Sequence, residues 1–145
     1  IVNVSSVFGL IGVPTQAAYN SAKFAVKGFT EALRQELEVE GGSIGVTCVH
    51  PGGIKTNIAR NARVTVRRGW TDERSSSDFE KAFATTPERA AEDIVTAIHK
   101  NRRRQLIGGD AVLIDFMQRL LPTLYQRVLV AGMKRRRRKM MSAAT

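Results

Sequence analysis

The sequence predicts an α/β fold built around a parallel sheet. Short apolar segments that read as strands alternate with amphipathic segments that read as helices along the 145 residues, an order typical of α/β proteins. The segment SIGVTCVH, residues 43–50, is apolar at both alternating sets of positions apart from Thr47, which indicates a strand covered on both faces. Three such strands with flanking helices leave two sheet edges to cover, so the pattern favours part of a larger doubly wound sheet.

The first half of the chain contains two predicted strands and the long helix between them. Residues 1–5 form the first strand, and a loop that contains glycine and proline follows it. Residues 15–40 have the spacing of an amphipathic helix, which Gly41-Gly42 ends in the manner of a left-handed cap. The apolar face of this helix is predicted to consist of Ala22, Val26, Phe29, Leu33 and Leu37.

The second half begins with a long polar segment and then returns to regular structure. Residues 54–85 lack a clear period, which predicts a loop with a helical turn or two. Thr86 and Pro87 then open a helix as its cap and its first helical residue, and residues 104–108 form a third short strand. The buried face of the helix is predicted to consist of Ala91, Ile94, Val95 and Ile98.

A last amphipathic helix starts at about Ala111, and Pro122 is placed to kink or split it. We therefore divide the chain into an α/β unit at 1–110, an amphipathic helix at 111–133 and a basic, disordered tail at 134–145. The apolar stripe of the helix is predicted to consist of Leu113, Met117, Leu120 and Leu124.

The net charge of +10 is concentrated in two short runs. KRRRRK at 134–139 supplies six positive charges and RRR at 102–104 supplies three, so the remainder is close to neutral. The charge is therefore poor evidence for a nucleic-acid-binding fold. Cys48 is the one cysteine, which excludes an internal disulfide pair, and with no apolar run long enough to span a bilayer the sequence favours a cytoplasmic protein.

Tyr19 and Lys23, in the segment YNSAK, lie four residues apart on the predicted helix and share one of its faces. Alone, such a pair is common, as a half-exposed tyrosine beside a solvated lysine. Ser5-Ser6 ends the first strand and PGGIKT, residues 51–56, ends the second. Because the carboxyl ends of parallel strands meet at one sheet edge, where ligands bind, the sequence predicts a functional site there.

The residue types at this edge suit proton transfer at a carbonyl or alcohol oxygen. A cation about 4 Å from a phenol stabilises the phenolate by up to about 4 kcal/mol at an effective dielectric near 20, so Lys23 would make Tyr19 a better general acid–base near neutral pH. A serine hydroxyl can hold the reacting oxygen. Acyl transfer is disfavoured because neither His50 nor His99 is clearly placed to activate Ser6 as a nucleophile. No metal site is predicted.

The segments IVNVSS, YNSAK and VHPGGIKT together resemble the second half of a classical short-chain dehydrogenase/reductase, from Ile1 to about Gly109. The resemblance implies a Rossmann-like fold, of which this chain is the carboxyl-terminal part, and hydride transfer between NAD or NADP and an alcohol or ketone. It implies Tyr19 as the catalytic acid–base and Ser6, in preference to Ser5, as the residue that orients the reacting oxygen. Lys23 would promote ionisation of Tyr19 and hydrogen-bond the nicotinamide ribose.

The same resemblance implies further cofactor contacts and partners. The segment from about Thr56 to Thr86 would be the substrate lid, and its Trp70, Phe79 and Phe83 fit a partly apolar substrate. The helix at 15–40 would pack against its copy in a homodimer or homotetramer. Cofactor-binding residues are expected at Tyr19, Lys23, Pro51, Gly52, Ile54 and Thr56.

Parts of the family pattern have no counterpart among these residues. They are the glycine-rich turn that takes the cofactor pyrophosphate, the residue that selects between NAD and NADP, and the asparagine that completes the catalytic set. These would lie in four preceding strand–helix units, about 120 residues at roughly 30 residues per unit, and Ile1 already lies in a strand. We therefore expect a fragment of such an enzyme that does not turn over alone.

The basic run at 134–139 has three interpretations. It is a solvated tail, or an anchor to an anionic membrane surface, or a nucleic-acid contact. The amphipathic stretch at 112–132 precedes it, and each cation near an anionic bilayer contributes about 1 kcal/mol to binding. Nucleic acid is disfavoured because no aromatic residue is interleaved with the arginines. A non-catalytic membrane-surface or interaction module is therefore the alternative to an enzyme.

Overall fold

The structure, a computed structural model, describes residues 1–56 and 85–142. Most of the predicted lid, with Trp70, Phe79 and Phe83, lies outside the described residues. The predicted alternation of strands and helices is confirmed. In chain order the elements are β1 (Val2–Val4), a 3-10 turn (Val7–Gly9), α1 (Ala17–Val39), β2 (Thr47–Pro51), α2 (Pro87–His99), β3 (Arg104–Ile107), α3 (Gly109–Leu120) and α4 (Leu124–Ser142).

The three strands form one parallel sheet in the order β1, β2, β3. Asn3 pairs with Cys48, and Cys48 pairs with Arg104. Because all strands run the same way, the residues that follow them leave the sheet at one edge. Ser5 and Gly52 therefore emerge side by side, which confirms the predicted convergence of the two strand ends.

Helices cover both faces of β2. On one face Asn3 Nδ2 donates a hydrogen bond to Thr30 Oγ1 of α1, at 3.1 Å. On the other face Val49 and Ile107 form a core cluster with Ala90 of α2. The residues from Thr47 to His50 are all buried, so the prediction of a strand covered on both faces is confirmed, although the strand begins four residues later than residue 43.

The predicted apolar face of α1 is confirmed only in part. Val26, Leu33 and Leu37 are half-buried, but the buried residues of this helix are Asn20, Thr30 and Arg34, and Phe29 is 63% exposed. The physical reason is that α1 approaches the sheet through polar side chains that bond to it. Arg34, for example, reaches the carbonyl oxygen of Val46 with Nη1 at 2.7 Å.

The buried face of α2 is also different from the predicted one. Ala90 and Ala97 are buried at 8% and 0% exposure, while Val95 and Ile98 are both 49% exposed. Of the predicted residues, Ile94 packs against the core cluster, which confirms the prediction in part. Small side chains at the contact let the helix backbone approach the sheet closely, and Val95 and Ile98 point outward.

The predicted helix ends are confirmed. Gly41 has φ +74°, and Gly42 N–H donates to the carbonyl of Leu37 at 2.9 Å, as in a glycine-terminated helix. Thr86 caps α2, since its Oγ1 accepts from Arg89 N–H at 3.2 Å.

The carboxyl-terminal segment consists of two helices, because α3 ends at Leu120 and α4 begins at Leu124. Pro122 therefore splits the helix, which was one of the two predicted outcomes. The predicted stripe is exposed on α3, where Leu113 is 66% exposed and Leu120 62% exposed, and its last residue, Leu124, lies in α4. Within the described part of the chain, no helix is long and apolar enough to cross a bilayer.

The basic run is helical and not a disordered tail, since α4 continues through it to Ser142. Two physical reasons account for this difference from the prediction. Lysine, arginine and methionine are good helix formers, and cations near the carboxyl end of a helix interact favourably with its dipole.

Candidate functional site

The end of β1 is tied to both neighbouring elements through Ser5. Its backbone N–H donates to the carbonyl of Val49 at 2.8 Å, and its hydroxyl donates to the carbonyl of Lys23 at 2.8 Å. Ser5 is 2% exposed. Its hydroxyl proton is therefore used in holding α1 against the end of the strand.

Ser6 and Tyr19 are brought together through Phe8. Ser6 is 9% exposed and caps the 3-10 turn, since its Oγ accepts from Phe8 N–H at 3.1 Å. A hydroxyl that accepts one bond keeps its own proton to donate. The ring of Phe8 meets the ring of Tyr19 edge to face, with centroids 6.1 Å apart. The turn therefore places the serine and the tyrosine on the same side of the sheet edge.

Lys23 lies beside Tyr19, as their spacing predicted. Its Nζ is 5.5 Å from the centroid of the tyrosine ring and donates to the carbonyl of Val4 at 3.1 Å. An ammonium group has three donors, so this bond does not exhaust the capacity of Lys23. Tyr19 is 41% exposed and thus accessible to a ligand. Ser6, Tyr19 and Lys23 form what we call the Ser-Tyr-Lys cluster.

His50 is hydrogen-bonded to the backbone of this cluster. It is completely buried, and its Nδ1 lies 3.0 Å from the carbonyl oxygen of Ser6. Burial lowers the pKa of His50 and outweighs the opposite effect of the bond to the Ser6 backbone, so the neutral ring donates through Nδ1–H. Its Nε2 has no hydrogen-bond partner among the described residues. The histidine therefore joins the end of β2 to the residue that follows β1.

Asn20 organises the loop between Ser6 and Tyr19. Its Nδ2 donates to the carbonyls of Phe8 at 2.8 Å and Ile11 at 2.9 Å, and its Oδ1 accepts from Val13 N–H at 3.1 Å. The sequence analysis did not identify this residue, although it lies inside YNSAK. An asparagine in the first helical turn, after a loop with many backbone groups to satisfy, is the signal that could have found it.

The predicted cofactor-binding residues of the second strand lie at the same sheet edge. Pro51 ends β2, and Ile54 pairs with Thr85 in an isolated parallel bridge. Thr56 N–H donates to the carbonyl of Ile54 at 2.8 Å, and Thr56 itself is exposed.

Asp110 is a second residue that the sequence analysis missed. It lies in the first turn of α3, and its Oδ2 accepts from Gly53 N–H at 2.6 Å. The contact joins residues 57 positions apart, so spacing along the chain gave no sign of it. Among the residues described, no group of three or more His, Cys, Asp or Glu side chains could hold a metal ion.

Comparison with known sequences identifies similar proteins that are named dehydrogenases or oxidoreductases. Residues 1–67 match a family model described as short chain dehydrogenase. The chain is 50% identical over 133 residues to SadH of Mycobacterium tuberculosis, which is named an oxidoreductase, over 91% of this chain and 48% of that protein. It is 34% identical over 137 residues to dehydrogenase/reductase SDR family member 7B of Xenopus laevis, over 94% of this chain and 41% of that protein. The chain thus spans about half the length of the curated relatives or less.

Comparison with solved structures gives the same fold. A short chain dehydrogenase/reductase from Burkholderia phymatum in complex with NAD matches with a TM-score of 0.72 and 24% identity, over 86% of this chain and 48% of that chain. A short chain dehydrogenase from Burkholderia cenocepacia in complex with NADP matches with a TM-score of 0.65 and 20% identity, over 89% of this chain and 46% of that chain.

The parallel sheet and these neighbours define a Rossmann-like α/β fold. The sequence matches are more specific than the fold. In sequence the chain is similar to short-chain dehydrogenases/reductases, which confirms the resemblance of its three segments.

Proposed function

We propose that this chain supplies the proton-transfer half of an NAD- or NADP-dependent dehydrogenase or reductase that acts on an alcohol or ketone. The observation that carries the proposal is the Ser-Tyr-Lys cluster, formed by Ser6, Tyr19 and Lys23. Its serine and tyrosine are linked through Phe8, and its lysine faces the tyrosine ring. Related proteins of this family are seen in complex with NAD and with NADP, which supports a nicotinamide cofactor here.

Each residue of the cluster has one role in this proposal. Tyr19 exchanges a proton with the substrate oxygen, and the Ser6 hydroxyl donates a hydrogen bond to that oxygen as its charge changes. The Lys23 ammonium lies beside the tyrosine ring and places a positive charge next to the reacting groups. The bound nicotinamide supplies or accepts the hydride.

The residues around the cluster fit the nicotinamide end of such a cofactor. Lys23 would bond the ribose with donors that its contact to Val4 leaves free. The segment that follows β2, with Gly52, Ile54 and Thr56, would line the nicotinamide ring. The relatives are about twice as long as this chain, and the family's glycine-rich turn has no counterpart in it. We therefore propose that residues beyond these 145 complete the cofactor site and that these residues alone do not turn over.

Neighbouring serines provide a matched test in the full-length protein. Ser6→Ala should lower kcat by about 10²–10³-fold, the loss typical of removing one donor to a reacting oxygen. Ser5→Ala removes only the bond to the Lys23 carbonyl, so it should lower stability by about 1 kcal/mol and leave kcat of the folded enzyme within a few-fold. Equal kcat losses in both variants at a temperature where both are folded would contradict the assigned roles.

A second candidate function is attachment to an anionic membrane surface, and the exposure of α3 and α4 favours it. Large apolar side chains of both helices are exposed, and the basic run continues the second helix, where Lys134, Arg135, Arg137 and Arg138 are exposed. An apolar face beside a cationic end matches a bilayer with anionic headgroups. The exposed apolar residues are Val112, Leu113, Phe116, Leu120, Leu124, Val128, Val130 and Met141.

Vesicle binding tests this candidate. The protein should sediment with vesicles that contain phosphatidylserine and remain in solution with phosphatidylcholine vesicles. Replacing the six basic residues at 134–139 with glutamine should abolish the sedimentation, since each cation contributes about 1 kcal/mol near an anionic surface. An unchanged sedimented fraction after that replacement would refute the attachment.

We also propose that α1 forms a subunit interface when the protein is full length. Phe24 is 41% exposed and Phe29 63% exposed, and large exposed aromatic residues on one helix mark an interaction surface. Phe29→Lys should shift the molecular mass in solution from that of a dimer or tetramer toward that of a monomer. The same mass for both proteins by light scattering would contradict this interface.

A further inference from the structure

The two-glycine segment after β2 is held by a carboxylate from a distant helix. Gly53 is buried, and its N–H donates to Asp110 Oδ2 at 2.6 Å. Asp110 is in the first turn of α3, where the helix dipole favours a negative charge. A bond from a backbone N–H to a carboxylate is charge-assisted and stronger than one between neutral groups.

Gly52 and Gly108 lie beside this carboxylate, and the absence of a side chain at each of them leaves room for it. A Cβ atom at Gly52 would overlap all three atoms of the Asp110 carboxyl group. Gly108 has φ +92°, which side chains rarely adopt, and a Cβ there would lie 2.5 Å from Asp110 Oδ1. The carboxylate therefore occupies a space that exists only because both neighbouring residues are glycine.

We propose that Asp110 is a positioning residue that holds residues 52–56 in the conformation that binds the nicotinamide. The inference rests on the proposed function, because it assigns those residues to the cofactor. Asp110 itself acts through Gly53 and does not need to touch the cofactor.

Among the described residues, the backbone hydrogen bonds from this segment to other parts of the chain lie on either side of Gly53. Gly52 N–H donates to the carbonyl of Ile107 at 2.9 Å, and Lys55 N–H donates to that of Thr85 at 3.0 Å. Between these two bonds the Gly53 N–H is held by Asp110. Paired glycines have the most conformational freedom of any backbone, so losing that bond would lower the fraction of molecules in the binding conformation. The apparent dissociation constant of the cofactor rises in proportion to that loss.

Substitutions at two positions of one helix separate positioning from stability. Asp110→Ala removes the acceptor, and Asp110→Asn keeps an oxygen that can accept from Gly53 N–H. Asp115→Ala is the control, because Asp115 also lies in α3 but pairs with Arg104 and Arg119. Each variant of the full-length protein is measured by amide hydrogen exchange at residues 52–55, by fluorescence titration with NADH and NADPH, and by thermal unfolding.

Asp110→Ala should increase exchange at residues 52–55 and raise the dissociation constant of the bound nucleotide about tenfold, which is the effect of a tenfold fall in the binding conformation. With saturating nucleotide kcat should be nearly restored, and Asp110→Asn should recover most of the affinity. Asp115→Ala should lower the melting temperature without changing the affinity.

Unchanged exchange in Asp110→Ala would overturn the inference, and so would increased exchange with unchanged nucleotide affinity. If the unsubstituted protein bound neither NADH nor NADPH, the proposed function would fail and the cofactor part of the inference with it. The exchange measurement would still decide whether Asp110 restrains the segment, so the two failures are distinguishable.

Discussion

Replacing Asn20 with alanine should loosen the loop between Ser6 and Tyr19 and destabilise the protein by about 1.5–4.5 kcal/mol. The side chain makes three hydrogen bonds, two from Nδ2 to the carbonyls of Phe8 and Ile11 and one to Oδ1 from Val13 N–H. Each intramolecular hydrogen bond contributes about 0.5–1.5 kcal/mol net, and the quoted range is three times that value. Asn20 is only 7% exposed, so water does not easily replace the lost partner.

Urea unfolding of the full-length protein measures this loss. Ser21→Ala is the matched control, because Ser21 is the next residue of the same helix and is exposed; we expect it to change stability by no more than about 0.5 kcal/mol. Asn20→Asp keeps one acceptor but loses both donors and sets a carboxylate against two carbonyls, so it should destabilise at least as much as alanine. A free energy of unfolding for Asn20→Ala within about 0.5 kcal/mol of the unsubstituted protein would refute the reasoning.

Two further predictions concern the buried polar groups that join the helices to the sheet. Burial lowers the pKa of His50, so below the ordinary value of about 6.5 the unfolded state binds a proton that the folded state does not. Stability should therefore fall as the pH drops below about 6.5, by up to about 1.4 kcal/mol per pH unit, and His50→Gln should reduce that slope in urea titrations across pH 5–7; an unchanged slope would contradict the assignment. Arg34→Met leaves the carbonyl of Val46, which is 0% exposed, without its partner at 2.7 Å and should cost about 1–3 kcal/mol. The control Arg89→Met removes only ion pairs of an exposed arginine, worth about 0–1 kcal/mol. If both variants lost the same free energy of unfolding, burial of the broken bond would not determine its cost, which would contradict the prediction.

The order of elements and the place of the site could be predicted because both follow from local patterns. Strand-like runs, the threonine and proline at the start of α2, and the glycines after α1 act within a few residues. Parallel strands then bring their carboxyl ends to one edge, so Ser6 and Pro51 were expected to be neighbours. The hydrogen bond between His50 and the Ser6 carbonyl follows from that same geometry.

The packing faces and the supporting polar residues could not be predicted in the same way. Apolar spacing in α1 pointed to a face that includes Phe29, but the sheet is contacted through Thr30 and Arg34, whose partners lie in other elements. Asp110 bonds to a residue 57 positions away. Contacts of this kind depend on tertiary geometry, so the residues that support the cluster appear only when the fold is known.

The role of Tyr19 is the central claim, and turnover by a Tyr19→Phe variant of the full-length protein tests it most directly. Reduction of NAD or NADP is followed with a panel of alcohols, and the reverse reaction with ketones, while nucleotide affinity is measured by titration. Removing the hydroxyl leaves the ring contacts with Phe8 and Lys23 in place, so folding and nucleotide affinity should be preserved. We predict that kcat falls by at least about 10²–10⁴-fold, the contribution typical of a general acid–base. Turnover within a few-fold of the unsubstituted enzyme would show that the proton passes through another group and would contradict the account.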